Sequence, residues 1–74
     1  MKKLIEFLNA LEESGIYYRL NKVRDAIMVE IAVPGERWEV EFMNDDTVEV
    51  EIFKSIGEIE DESVLNRLFT DYGD

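Results

Sequence analysis

The sequence predicts an α+β fold in two layers. A four-stranded antiparallel meander carries an N-terminal and a C-terminal helix packed on one face, in the order α-β-β-β-β-α. Three observations predict it. Apolar and polar residues alternate through three runs between Ala26 and Phe53, and a period of two puts one set of side chains on each face of a sheet. The runs are broken at Pro34-Gly35-Glu36 and again at Asn44-Asp45-Asp46, both turn signals. Outside this block, apolar residues at each end of the chain repeat at i, i+3, i+4 and i+7, the signature of a one-faced helix. With 74 residues, 1–74 reads as a single domain. A chain of this size buries only about 60% of its unfolded surface, so each core residue carries a large share of its stability.

The first helix is expected over Lys2 to Glu13, with Leu4, Phe7, Leu8 and Leu11 as its apolar stripe. Gly15 stops it, because glycine enters the left-handed conformation without a Cβ penalty. Lysines at the amino end oppose the helix dipole. Ile16 to Leu20 reads as a first strand, with Ile16, Tyr18 and Leu20 inward and Tyr17 and Arg19 outward. Asn21 to Asp25, polar apart from Val23, reads as a loop. The three alternating runs follow. Their inward sets are Ile27, Val29, Ile31 and Val33, then Trp38, Val40 and Phe42, then Val48, Val50 and Ile52. The stretch from Lys54 to Ile59 fits either a prolonged strand or an irregular connection, with Gly57 marking a turn. Asp61 is the expected cap of a last helix whose stripe is Leu65, Leu68, Phe69 and Tyr72.

Parity sets the registers. Phe42 and Val48 must share a face, so Met43 pairs with Thr47 around a three-residue turn. Asp46 then stands in a left-handed position better suited to Gly. Pairing Val33 with Trp38 leaves an even loop from Pro34 to Arg37. These choices give core rows of Val29, Phe42 and Val48, of Ile31, Val40 and Val50, and of Val33, Trp38 and Ile52. On the opposite face they place Glu30, Glu41 and Glu49 in one row, and Glu39 and Glu51 in the next.

The charge is −10, from 8 basic and 18 acidic residues. It is unevenly spread. Residues 1–29 hold five bases against four acids, and residues 30–74 hold three bases against fourteen acids. Such a field repels nucleic acid and anionic membranes and attracts cationic partners. No apolar run reaches the roughly 18 residues of a membrane span. Met1-Lys2-Lys3-Leu4-Ile5-Glu6 lacks the long uncharged segment of a signal peptide. Together with the absence of cysteine, this gives the expectation of a cytoplasmic protein.

The chain has neither cysteine nor histidine. That removes thiolate zinc sites, the commonest general base and the commonest metal ligand. Ser14, Ser55 and Ser63 have no evident activating partner, and no glycine-rich phosphate loop occurs. Asn44-Asp45-Asp46 lacks the spaced ligands and terminal Glu of a calcium loop and reads as a turn. Paired carboxylates on an open sheet face lack a cleft that excludes water. A non-enzymatic domain without cofactor or metal is expected.

What remains is the outward face. Glu30, Glu39, Glu41, Glu49 and Glu51 form a carpet on it, together with Tyr17, Arg19, Met28, Met43 and Phe53. An antiparallel sheet often leaves one face in water, and a solvated face is the plainer reading. Directly opposed like charges are unfavourable, however, and aromatic and Met side chains among polar ones are typical of interfaces. Tyr17, Arg19, Met28, Glu30, Glu39, Glu41, Met43, Glu49 and Glu51 are therefore the candidate protein-binding residues, and a basic protein is the expected partner. The alternative is a self-associating domain, a monomer or weak homodimer, that pairs through a sheet edge or the apolar spots of the open face.

The segment Val33-Pro34-Gly35-Glu36-Arg37-Trp38-Glu39-Val40-Glu41-Phe42, with Val48-Glu49-Val50-Glu51-Ile52-Phe53, Ile59 and Ile16-Tyr17-Tyr18, resembles a group of small bacterial proteins of unassigned function. They share a VPGERWEVEF…VEVEIF pattern. In that group the second turn commonly carries Asp-Gly, where this chain has Asp46. The resemblance implies a bacterial α+β domain and supplies no catalytic residue. Small acidic proteins of this build are also similar to immunity or antitoxin partners of basic toxins, an analogy of fold and charge.

Overall fold

The computed structural model describes residues 2–54, 58–60 and 62–73. Helix α1 (Lys2–Glu13) is followed by β1 (Tyr18–Val23), β2 (Ala26–Val33), β3 (Glu36–Phe42), β4 (Val48–Phe53) and a short β5 (Glu58–Glu60). A 3-10 turn over Glu62–Val64 then leads into α2 (Leu65–Tyr72). The strands form one antiparallel sheet in the order β1-β2-β3-β4-β5. The expected α+β meander with two flanking helices is present. To it is added the three-residue edge strand β5, in the stretch whose pattern fitted either a strand or a connection. Ser55 to Gly57 and the expected cap Asp61 lie outside the described residues. At the start of α2, Val64 occupies the capping position in helical conformation with no side-chain cap, because the 3-10 turn runs straight into the helix.

Both helices cover the same face. Leu4, Phe7 and Leu11 of α1 and Leu68 of α2 join Val29, Ile31, Trp38, Val40, Phe42, Val50 and Ile52 in a single core. Phe7 links the layers, packing on Phe42 at 5.5 Å and edge-on against Phe69 of α2 at 5.9 Å between ring centroids. Helix α1 ends as its glycine requires. Gly15 adopts φ +71°, its N–H bonds to Glu12 O, and Ile16 N–H reaches back to Leu11 O at 2.9 Å. This double closure satisfies the last carbonyls and drops Ile16 into the core beside Leu11.

Helix α1 crosses the sheet on a diagonal. Near its amino end, Lys3 Nζ donates to Asp46 O and pairs with Glu62, and Leu4 shares a cleft with Phe42, Met43 and Thr47 of the β3–β4 connection. Near its carboxyl end, Tyr18 of β1 donates its hydroxyl to Glu12 at 2.6 Å.

Three expectations are corrected. The first strand starts at Tyr18 instead of Ile16 and runs on to Val23, so Asn21 to Val23 are strand and only Arg24-Asp25 turn. Its residues are largely exposed. An edge strand with one row of unpaired backbone has no need of alternation, and the period-two signal fades there. Leu20 lies on the inward side opposite Val29 yet is 54% exposed, because the diagonal of α1 leaves that corner bare. The β2–β3 register is also shifted by two residues from the expected one. Pro34 and Gly35, with φ +80° at the glycine, close the hairpin in two residues, and Val33 faces Glu36. Proline followed by a left-handed glycine is the pairing a type II turn requires. An even shift leaves every face as predicted but changes the rows. Ile27, Phe42 and Val48 align, then Val29, Val40 and Val50, then Ile31, Trp38 and Ile52.

The β3–β4 turn is as expected. Met43 N–H bonds to Thr47 O at 2.9 Å around three residues, and Asp46 holds φ +71°. Asp45 braces it by accepting from both the amide and the hydroxyl of Thr47. Those bonds hold the Asp45 carboxyl below its ordinary range.

Candidate functional site: the uncovered acidic face

The side of the sheet away from the helices carries the outward residues of β1 to β4. Its central row is Arg19, Glu30, Glu39 and Glu51, aligned across four strands. The next row is Asn21, Met28, Glu41 and Glu49. A third aligns Ala32, Arg37 and Phe53. The expected grouping of Glu30 with Glu41 and Glu49 is therefore corrected. The two-residue shift moves Glu30 against Glu39, and the glutamates divide three and two. All five remain on one face, in adjacent rows.

Of the nine candidate residues, seven lie within these two acidic rows. The other two stand at opposite ends. Tyr17, 75% exposed, precedes β1 and borders a hollow of about 130 Å³ with Arg19, Glu30, Ala32 and Arg37. Met43 follows β3 and borders a hollow of about 280 Å³ with Arg24, Asp25, Glu41 and Asn44. Glu30, Glu39, Glu41 and Glu51 are half-buried by their neighbours, while Glu49 is exposed. Arg37, expected at the end of a loop from Pro34, stands instead in β3 on this face. Its guanidinium pairs with Glu39 at 3.4 Å and lies 4.6 Å over the Phe53 ring, so it neutralises the row from one side while covering an apolar side chain.

Glu41 and Glu49 face one another directly, and no ion pair to either occurs among the described residues. Opposed like charges on a sheet cost a few tenths of a kcal/mol. Glu41→Gln should raise the midpoint of chemical unfolding at neutral pH and low salt, and the gain should shrink as salt is added. A lowered midpoint in low salt would mean that the carboxylate of Glu41 is favourably held.

A second charged cluster, on the helix side, was not anticipated. Glu36 shares the inward parity of Trp38, Val40 and Phe42, and its side chain is only 9% exposed. Its carboxylate accepts from Trp38 Nε1 at 2.9 Å and from Arg67 Nη2 at 2.6 and 2.7 Å. Lys54 approaches at 3.4 Å, and Arg67 also reaches Asp71. Burial pushes the Glu36 carboxyl up, but the Trp38, Arg67 and Tyr72 bonds outweigh it and hold the group below its ordinary range. Burial and the neighbouring Glu36 push the Tyr72 hydroxyl upward. The available signal was an acid in an inward position of a strand, which demands a cation from another element. The cluster is saturated with its own partners and ties α2 to the β2–β3 turn.

Among the described residues no group of His, Cys, Asp or Glu is arranged to hold a metal ion, and no helix is long and apolar enough to cross a membrane. No family model, curated protein or solved structure matches the chain.

Proposed function

We propose that this chain is a non-enzymatic, acidic protein-binding domain whose open sheet face docks a basic protein, in the manner of an immunity- or antitoxin-type partner. The observation that carries the reading is the alignment of Glu30, Glu39 and Glu51 across three adjacent strands, backed by the Glu41–Glu49 pair. Repulsion of this kind is a cost to folding. A cationic surface laid across the carpet would remove it, so the same charges that weaken the free domain strengthen a complex. Met28 in the middle of the carpet and Tyr17 and Met43 at its ends provide apolar contact of the kind enriched at interface centres. A cytoplasmic location and a bacterial source belong to this proposal too, on the composition and the pattern described above.

The test is a triple reversal, Glu39→Lys, Glu41→Lys and Glu51→Lys. These side chains lie on the uncovered face, so the fold should persist, with circular dichroism as the check. Immobilised wild-type protein should capture a basic protein from a lysate of its native host. Association should slow with added salt, and the triple reversal should capture none of it. If both proteins capture the same set, or neither captures any, the carpet is a solvated face and the reading fails.

A further inference from the structure

We propose that a second copy of this chain docks on the outer edge of β1, antiparallel about Leu20, to form a two-fold dimer with one continuous sheet. This does not rest on the docking reading, since the surface is a strand edge and a helix flank instead of the acidic face.

Four observations converge there. Strand β1 ends the sheet, so among the described residues its outward N–H and C=O groups have no neighbouring strand, and such an edge is a template for another strand. Among the described residues, the large apolar side chains left exposed are Ile5 at 56%, Tyr17 at 75% and Leu20 at 54%, and all belong to α1 or the β1 flank. Ile5 and Leu8 share one side of α1 with Glu12 by helical spacing, and the Tyr18–Glu12 bond turns that side toward β1. The diagonal path of α1 leaves the corner around Leu20 bare at the far end of β1. Finally, residues 1–29 are nearly neutral, whereas 30–74 hold fourteen acids against three bases. On a chain of charge −10, this flank is where a second copy can approach without strong repulsion.

Parity centres the register on a residue, and of the centres that keep base from base, Leu20 is the one that brings Lys22 to Glu12. Residues opposed in an antiparallel pair lie on one face, so a dimer with all its helices on one side must pair residues of like parity. Centring on Leu20 opposes Leu20 to itself, Arg19 to Asn21, and Lys22 to Tyr18 of the second copy. No base then faces a base. Lys22 meets the site where Tyr18 is held by Glu12, and a Lys22–Glu12 pair forms twice across the axis. The carboxyl end of the second copy's α1, which covers its own Tyr18, arrives beside the bare corner of the first. The bare half of each β1 thus meets the covered half of the other. One consequence is that both glutamate faces lie side by side on the same surface.

Sedimentation equilibrium over a concentration series is the test. Wild type should approach twice the monomer mass and stop there. Leu20→Glu, Lys22→Glu and Glu12→Lys should each weaken association at least tenfold, and the double variant Lys22→Glu/Glu12→Lys should restore it. Hydrogen exchange of wild type is a second readout, free of any variant. The β1 amides should exchange more slowly as concentration rises, while the β3 amides do not change. A wild-type monomer at every concentration would overturn the proposal. So would growth beyond two copies, which would indicate head-to-tail pairing of β1 with β5, or undiminished association of Leu20→Glu. Loss of association in the single charge variants without rescue in the double would overturn the register.

Discussion

Trp38→Ala should leave the domain without a cooperative unfolding transition near room temperature. Trp38 is fully buried in the middle strand of the sheet, flanked by Ile31 on β2 and Ile52 on β4. Its ring lies 5.2 Å beneath the Arg67 guanidinium, and its indole N–H is bound to Glu36. Truncating a buried tryptophan costs about 3–5 kcal/mol, from lost transfer energy and the cavity left behind. A domain of this length has about 4–11 kcal/mol in all. The substitution therefore consumes most or all of the stability, and it also removes a donor from Glu36. Trp38→Phe keeps most of the volume and should fold with a lowered midpoint. Because the fluorophore is lost, the measurement is denaturation followed by far-ultraviolet circular dichroism. A wild-type-like melt for Trp38→Ala would mean that the core is not organised around this residue.

Strong periodicity made Trp38 legible. Strands β2, β3 and β4 each bury one face against helices, and a one-sided sheet must write its faces into alternate residues. The two helices were legible for the same reason at a different period. Strand β1 was misread at both ends because it is an edge. Asn21 and Lys22 can stand in a strand without being read as one when neither side is fully packed. The β2–β3 register was misjudged by two residues, and parity cannot detect an error of two. Only the turn chemistry could have corrected it. Pro34 and Gly35 fit the two central positions of a tight turn, which draws Glu36 into the strand. The five glutamates of the acidic face were readable because outward residues alternate with core ones, whereas Asn21 and Arg37, which share that face, fall in stretches that read as loops. The grouping of the glutamates was not readable, since that depended on the same register.

Glu36 itself was overlooked because an acid beside a turn reads as a loop residue. The closure at Pro34-Gly35 places it inside the strand, pointing under α2, where a lone carboxylate would be untenable. Arg67 supplies the answer from a segment 31 residues away. No local pattern announces such a pair. The helix stripe of Leu65, Leu68, Phe69 and Tyr72 fixes which way α2 faces, and only with the sheet in place does Arg67 come over Trp38 and Glu36.

Glu36→Gln should accordingly destabilise the domain by about 2 kcal/mol at neutral pH, the usual range for a charge-assisted hydrogen bond being about 1.5–3 kcal/mol. Glutamine can accept from Trp38 or from Arg67 through its one carbonyl oxygen, but it leaves the half-buried guanidinium with only the longer, more exposed pairing to Asp71 at 3.3 Å. The effect has a definite pH dependence. The carboxyl of Glu36 is held below its ordinary range in the folded protein. Its contribution is therefore fully present above the unfolded carboxylate pKa and is lost as pH falls through the lower, folded value. Wild type and Glu36→Gln should differ most at neutral pH and converge on acidification, with urea midpoints at a series of pH values as the measurement. Arg67→Met, made in both backgrounds, isolates the pair. Its cost should be larger in wild type than in Glu36→Gln, because only wild type loses the interaction. At alkaline pH the sign is reversed for Tyr72. Its hydroxyl is raised by burial and by Glu36, so stability falls as tyrosine ionises, and Glu36→Gln should ease that ionisation. A difference between wild type and Glu36→Gln that stays constant from neutral to acid pH would show that the carboxylate charge plays no part in holding α2 to the sheet.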